Sequence, residues 1–321
     1  MDSKFDIIQT AKNSINNQGN SILELSNFIN KDFKSSVELI NSIDGKVIVS
    51  GIGKSAIIGM KIVATLNSTG TPSIFMHAAE AVHGDLGIVQ NNDVIILISK
   101  SGNTNEIKDL IPFLKNTGVK LIAICSDENS FLVKNCDYFL NSFIKKEACP
   151  NNLAPTTSTT AQLVVGDALA ICLSEMKGFK ENDFARFHPG GSLGKKLHLK
   201  VKDLVIKNLK PQVNLEESFN NVVNEISKKM LGATAVINNK VAIGIITDGD
   251  LRRFFSKNID LKSIKASDLM SKSPKKINSE ILASDALKIM NSNKITQLIV
   301  EDNKTYTGII HLHNILNEGI S

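Results

Sequence analysis

A chain of 321 residues is about twice the usual single-domain length, so two domains are expected rather than one. With 42% apolar and 21% charged residues and only 7 prolines and 20 glycines, the composition excludes the disordered, collagen-like and coiled-coil classes. The net charge of +5, from 37 basic and 32 acidic residues, falls short of what a nucleic-acid binder of this size carries.

The N-terminus, Met1-Asp2-Ser3-Lys4-Phe5-Asp6, lacks the basic region, apolar stretch and cleavage site of a leader, which points to a cytoplasmic location. Helical spacing at Ile7, Ile8, Ala11 and Ile15, and again at Val37 and Ile40, predicts that the fold opens with helices. From residue 46 short apolar runs (46–50, 73–77, 93–99, 120–126 and 138–142) alternate with segments of helix length. Strands apolar on both faces and separated by helices predict a doubly wound α/β fold around a parallel sheet. The apolar runs are strand-sized, and the longer one at 161–173 is interrupted by Gln162, Gly166 and Asp167, so no bilayer span or membrane partner is expected. Cys125, Cys136, Cys149 and Cys172 show no C-x-x-C spacing and read as packing thiols.

After residue 200 the texture changes. At a constant offset of 64, Asn214 aligns with Asn278, Ile226 with Met290, Val236 with Val300, and Gly244-Ile245-Ile246 with Gly308-Ile309-Ile310. Two copies of a helix, a strand, a short turn (Asn238-Asn239; Asp302-Asn303) and a second strand predict a pair that packs together, since one copy alone buries a marginal core. Charge follows the same division. Residues 1–200 hold 20 basic and 19 acidic residues, and 201–321 hold 17 and 13. The only arginines are Arg186, Arg252 and Arg253. A phosphate bound by the first part must therefore rely on backbone amides, hydroxyls and lysine.

The first strand runs into Ser50-Gly51-Ile52-Gly53-Lys54-Ser55, where glycines allow close approach of a ligand to a helix N-terminus. A Walker loop would need glycine at the position of Ile48, and a dinucleotide fold would place an acid after the second strand, where His77-Ala78-Ala79 stands. A phosphosugar site or a plain tight turn remains. Ser99-Lys100-Ser101-Gly102-Asn103-Thr104-Asn105-Glu106 forms a second anion cradle at a strand end, and Thr156-Thr157-Ser158-Thr159-Thr160 precedes a third helix; three such openings on one sheet edge favour a phosphate, with helix capping the plain alternative for the third.

These motifs, with Ser68-Thr69-Gly70-Thr71-Pro72, His83-Gly84-Asp85-Leu86-Gly87, Lys146-Glu147-Ala148-Cys149-Pro150 and His188-Pro189-Gly190-Gly191, resemble the sugar isomerase (SIS) domain of D-arabinose-5-phosphate isomerases. The repeat, with Gly244-Ile245-Ile246-Thr247-Asp248-Gly249-Asp250, resembles the tandem CBS modules that follow it in those enzymes. The resemblance implies an SIS domain over 1–200 and CBS copies over 204–263 and 268–321. It implies interconversion of D-arabinose 5-phosphate and D-ribulose 5-phosphate through an enediol, feeding 3-deoxy-D-manno-octulosonate synthesis for lipopolysaccharide or capsule.

For the chemistry it implies Glu147 as the base at C1 and C2, His188 for ring opening or proton transfer between O1 and O2, Lys54 for an oxyanion or the phosphate, and Glu106 to orient Lys54 or His188. These last roles are interchangeable on sequence. Substrate contacts are implied at Gly53, Ser55, Gly70, Thr71, His83, Ser99, Ser101, Asn103, Thr104, Thr156, Ser158 and Thr159. His77 is associated with a zinc that turnover does not require, so no cofactor is expected for catalysis. Thr247, Asp248, Asp250, Arg252 and Arg253 are implied to hold a nucleotide or sugar-acid ligand in the CBS pair, and the assembly is expected to be a homotetramer. His311 and His313, at the matching place in the second copy, read as structural. A sugar-phosphate-sensing regulator would need a helix-turn-helix domain before the first strand, for which about 45 residues are too few. An amidotransferase would need an N-terminal catalytic cysteine and a glutaminase domain, and the sequence has neither.

Overall fold

A computed structural model describes residues 6–205, 210–256 and 261–321. The stretch 1–5, on which the expected absence of a leader rests, lies outside the described residues, as do 206–209 and 257–260 within the expected first CBS copy.

Five strands appear where the apolar runs predict them: β1 (Val47–Gly51), β2 (Ser73–His77), β3 (Val94–Ser99), β4 (Lys120–Cys125) and β5 (Tyr138–Asn141). They pair in the order β2-β1-β3-β4-β5, every pair parallel. Alternation within the apolar runs supplies two cores. Val47, Val49, Ile96, Ile98, Ile122 and Ile124 face one side, against α2 (Lys31–Ser42), α3 (Lys54–Ser68) and α7 (Thr157–Met176). Ile48, Ile95, Leu97, Leu121 and Ala123 face the other, against α4 (Ala78–Ala81), α5 (Asn105–Asn116) and α6 (Phe131–Asn135). This is the expected doubly wound sheet. The opening helix α1 (Ile7–Glu24) packs beside α7 and buries none of its own residues. Strand order reverses between β1 and β3, so their connections leave on opposite faces and open a crevice at the carboxyl ends of the strands.

The chain divides into two compact units, Met1–Lys180 and Glu181–Ser321. The segment 181–200, counted with the first domain on sequence, groups with the second unit. There α8 (Glu181–Phe187), α9 (Ser192–His198) and α10 (Val201–Val205) lead into the repeat. The first copy contains β6 (Gln212–Asn214), α11 (Phe219–Lys229), β7 (Ala233–Asn238), β8 (Val241–Thr247), α12 (Asp248–Phe255), α13 (Ala266–Leu269) and β9 (Ser271–Lys272). The second contains β10 (Lys276–Ile277), α14 (Ala283–Asn293), β11 (Gln297–Asp302), β12 (Thr305–His311) and α15 (Leu312–Leu316).

The copies match closely. The pairs α11/α14, β7/β11 and β8/β12 keep the offset of 64, and each hairpin has its irregularity at the same place, after Val236 and after Val300. The tight turns lie one residue beyond the expected pair: Asn239 and Lys240 have φ of 47° and 69°, and Asn303 and Lys304 have 50° and 62°. Two successive left-handed residues make the turn whose twist suits a two-residue hairpin. Ala233, Ala235 and Ala242 of one copy join Ile299, Tyr306 and Ile309 of the other in a shared core, and Tyr306 donates its hydroxyl to the Pro211 carbonyl at 2.6 Å.

Each copy is completed from outside its own sequence repeat. Val201 N–H bonds the Ile281 carbonyl and Ala283 N–H bonds the Leu199 carbonyl, so 199–205 belongs to the second copy's layer. The first copy's sheet takes Ser271 and Lys272 against Ile245 and Gly244, beyond the expected limit at 263.

Candidate active site

At the β1/β3 crevice a cavity of about 280 Å³ is lined by Lys54 and Ser55 after β1 and by Ser99, Lys100, Ser101 and Thr104 after β3. Pro155, Ser158, Thr159 and Gln162, from the start of α7, close it, over Ile52 and Ile98. The N-termini of α3, α5 and α7 therefore meet at one sheet edge, where the helix fields favour an anion. A larger groove of about 490 Å³, between Phe28, Phe143, Asp127 and Glu128, has carboxylates and no lysine or arginine in its lining, which does not suit a phosphate.

Local sequence builds each cradle. Gly53 caps α3 with φ 59° and ψ −129°, a conformation only glycine adopts without strain. Gly102 has φ 62°, and a Cβ there would stand 2.3 Å from the Ser130 hydroxyl. Its N–H donates to the buried Ser99 Oγ at 3.0 Å. Ser101 Oγ accepts from Asn103 N–H at 3.3 Å, and Asn103 Oδ1 accepts from Phe131 N–H at 3.0 Å, so the Asn103 side chain braces the loop against α6. Thr104 caps α5, and its Oγ1 is buried with no hydrogen-bond partner. Ser55 Oγ donates to Gln162 Oε1 at 3.1 Å, while Gln162 Nε2 is a buried donor with no partner. Orphaned polar atoms at a cavity wall cost free energy unless a ligand or water meets them.

Glu147 lies in the loop after β5, with its side chain fully buried. Its Oε2 accepts from Thr156 N–H (2.9 Å), Thr156 Oγ1 (3.2 Å) and Ser158 N–H (3.1 Å), and its Oε1 from Ser158 Oγ (2.6 Å) and Lys100 Nζ (2.7 Å). Thr156 gives α7 no side-chain cap of its own, and Glu147 takes that place. The Thr/Ser run thus forms the first turn of α7 and wraps the carboxylate. Burial opposes ionisation, but the hydrogen bonds from Lys100, Ser158 and Thr156 outweigh it and hold the carboxyl at about 2.

Lys54 is exposed at the mouth of the cavity, and Glu106 is half-buried in the first turn of α5. Gly70 and Thr71 are elsewhere. They precede β2, where Pro72 O accepts from Val47 N–H, and Lys177 at the far end of α7 bonds both, at 3.1 and 2.8 Å. A helix of 20 residues is about 30 Å long, so within one chain they stand at the opposite edge from the cavity.

His77 ends β2 at the cavity's edge of the sheet, its Nδ1 buried without a partner, and His83 is exposed in the following turn. Neither lines the cavity. Among the described residues no three His, Cys, Asp or Glu side chains are grouped to hold a metal, so His77 alone does not make a zinc site in one chain.

In the second unit His188 follows α8. Its Nδ1 lies 2.9 Å from the Phe184 carbonyl and its ring stacks on Phe184 at 3.9 Å. A carbonyl can only accept, so Nδ1 carries the proton and Nε2 is the basic nitrogen. Thr247 and Asp250 form a capping box at α12: Asp250 Oδ2 accepts from Thr247 N–H (2.9 Å) and Oγ1 (2.7 Å). Arg253 pairs with Asp250 Oδ1, whereas Asp248 and Arg252 are exposed. His311 and Asn314 build the same box at α15 with different groups: Nδ1 of His311 accepts from His313 N–H at 3.1 Å, and Asn314 Oδ1 accepts from His311 N–H at 2.9 Å.

Sequence reasoning passes over Lys100 and Gln162, both in the cavity wall. Lys100 stands inside the second cradle motif without a role of its own, and Gln162 reads only as a polar interruption of an apolar helix.

A SIS domain model matches residues 39–172 and a CBS domain model residues 266–320. The chain is 44% identical to an arabinose 5-phosphate isomerase KdsD of Yersinia pestis over 98% of this chain and 97% of that one. It is 43% identical to the KdsD of Pseudomonas aeruginosa over 100% and 99%. A solved structure of the E. coli CFT073 protein c3406, in complex with arabinose 5-phosphate, is similar at 43% identity and a TM-score of 0.56, covering 59% of this chain and 100% of that one. With whole-chain identity at this level to curated members, the chain belongs to the KdsD family of arabinose 5-phosphate isomerases.

Proposed function

We propose that the protein interconverts D-arabinose 5-phosphate and D-ribulose 5-phosphate. The observation that carries this reading is the switch-point cavity, where three helix N-termini, two lysines and a ring of hydroxyls meet beside a buried carboxylate. The phosphate suits the amides and hydroxyls of the cradles, with Lys54 supplying charge there or at the developing oxyanion. Glu147 takes the proton from C2 of the aldose as the C1 carbonyl electrons move onto O1, and it returns a proton to C1 as O2 becomes the carbonyl. His188 opens the ring or moves the proton between O1 and O2, and Glu106 orients Lys54 or His188. No step needs a metal, and none is routed through His77.

In this reading the D-arabinose 5-phosphate formed in the reverse direction serves 3-deoxy-D-manno-octulosonate synthesis for lipopolysaccharide or capsule, in the cytoplasm, where four free thiols persist. Among the described residues no helix is long and apolar enough to cross a membrane. The assembly is a homotetramer, supported by the exposed Ile7, Ile8, Ile15 and Leu23 of α1. The CBS pair takes a nucleotide or sugar acid through Thr247, Asp248 and Arg252. Because Asp250 and Arg253 are bonded to each other, they shape that site before they touch a ligand.

The test is to incubate the purified chain with D-arabinose 5-phosphate and assay D-ribulose 5-phosphate, with and without chelator, beside Glu147→Gln and His188→Ala. Turnover well above both variants is expected, unchanged by chelator. Turnover no greater than theirs would sink the isomerase reading, and loss with chelator would restore a role for zinc.

A further inference from the structure

The two oxygens of Glu147 are held differently. Oε2 is fixed by Thr156 and Ser158 N–H groups of the first turn of α7, which cannot leave without unwinding the helix. Oε1 is held only by side chains, Ser158 Oγ at 2.6 Å and Lys100 Nζ at 2.7 Å. Lys100 is half exposed, follows the last residue of β3 and lines the cavity, while the carboxylate behind it is fully buried. Its ammonium therefore stands between the cavity and the proposed base. A carboxylate held by five donors is a weak base. To accept a proton from carbon it must lose one of them, and the lysine is the donor a dianionic ligand would draw away.

We propose that Lys100 is a positioning residue for the isomerisation: it holds Glu147 Oε1 in the substrate-free site and releases it when the substrate takes over the ammonium's hydrogen bond. The inference rests on the proposed function and adds to it a coupling between occupancy of the cavity and readiness of the base. Lys54 does not share this task, since no hydrogen bond ties it to Glu147, whose five donors are those named above.

The test follows the Glu147 carboxyl directly, by carbon NMR of chain labelled at the glutamate δ-carbon, with the resonance assigned by its loss in Glu147→Gln. The probe is D-arabinitol 5-phosphate, which has the phosphate and hydroxyls of the substrate but no carbonyl to react. In the native chain the titration midpoint is expected to rise when the probe saturates the site. In Lys100→Met it is expected to be raised already and to move no further, and Lys100→Arg should restore the native behaviour. In turnover, Lys100→Met leaves the base released at all times and takes one charged hydrogen bond from the substrate, so KM should rise by about 10-fold with kcat little changed, and an acid limb should enter the pH profile.

A midpoint unaffected by Lys100→Met, or a native chain whose Glu147 does not respond to the probe, overturns the inference. The native chain with and without probe decides the release step even if both variants fail to fold. A chain that does not turn over D-arabinose 5-phosphate, yet shows the shift, refutes the proposed function while leaving the coupling intact.

Discussion

Two buried carboxylates in this molecule do similar structural work with different consequences. Asp250 caps α12 from within the same turn, three residues from its partner Thr247, and pairs with Arg253 on the next turn. Glu147 caps α7 from a loop nine to eleven residues away and pairs with Lys100, 47 residues distant. The local cap closes on itself and needs only its own helix. The long-range cap ties together the end of β3, the loop after β5 and the start of α7, and that junction is where the cavity lies. A carboxylate recruited from afar thus marks the place where the fold converges for chemistry, while one recruited from the same turn marks a well-made helix end.

Substitution should separate the two most sharply in turnover. Glu147→Gln is expected to lower kcat for D-arabinose 5-phosphate by about 10³-fold, the usual scale for removing a general base, while Asp250→Asn leaves kcat in the absence of any CBS ligand unchanged. Equal losses in both variants, in a steady-state assay, would break the distinction. The next largest effect is acid stability. The Glu147 carboxyl is held at about 2 against an ordinary 4.5, so its folded pKa is depressed. Its contribution is fully present above 4.5 and is lost as pH falls from 4.5 toward 2. The shift corresponds to about 3 kcal/mol. Thermal unfolding followed across that window should show the native chain losing this increment and Glu147→Gln losing none of it. Asp93, buried at the start of the sheet, adds a contribution of the same sign. Burial raises its pKa, but hydrogen bonds from Lys46 and Gln90 together lower it below the usual value of 3.8. The Glu147→Gln comparison removes that background.

Ser158→Ala should have a smaller effect. It deletes the 2.6 Å bond to Oε1 but leaves Lys100 in place. A stability loss of about 1.5 to 3 kcal/mol is expected for a hydrogen bond to a charged group, measured by denaturant unfolding, with the acid-linked increment reduced but still visible.

Much of this architecture was legible in the sequence because it rests on local patterns. Runs such as Val94–Ser99, apolar on both faces, could only be central strands. The offset of 64 placed the long helix and the hairpin of each copy. What sequence could not show was which segment completes which layer. The 199–205 segment pairs with residues near 281, a choice made by hydrogen bonds that leave no periodic trace. The site was legible in its cradles, since glycine and hydroxyl residues at strand ends have few other uses. Lys100 was hidden because a lone lysine after a strand reads as solvated surface, and its partner lies 47 residues away. Gly70 and Thr71 show the converse: a motif near the cavity residues in sequence lies, within one chain, across the sheet from them, because the loop before a parallel strand is at the far edge.

The smallest predicted effect sharpens the comparison inside the repeat. The copies cap their matching helices with different chemistry, Thr247 and Asp250 in one, His311 and Asn314 in the other. Thr247 has no charge to lose. His311 accepts the His313 N–H through Nδ1, so protonation there turns the acceptor into a donor and expels the bond. Burial, with His313 beside it, lowers the His311 pKa from its ordinary 6.5. The folded form therefore resists protonation more than the unfolded one. The cap is fully present above 6.5 and is lost as pH falls through the lowered folded value. Loss of one such cap is worth about 1 kcal/mol. Amide exchange should report it residue by residue: protection of the His313 amide falls with acid while that of the Asp250 amide holds, and His311→Asn, which keeps an acceptor that does not titrate, removes the difference. Equal acid sensitivity of both amides would show that the second helix end is held by something other than its histidine.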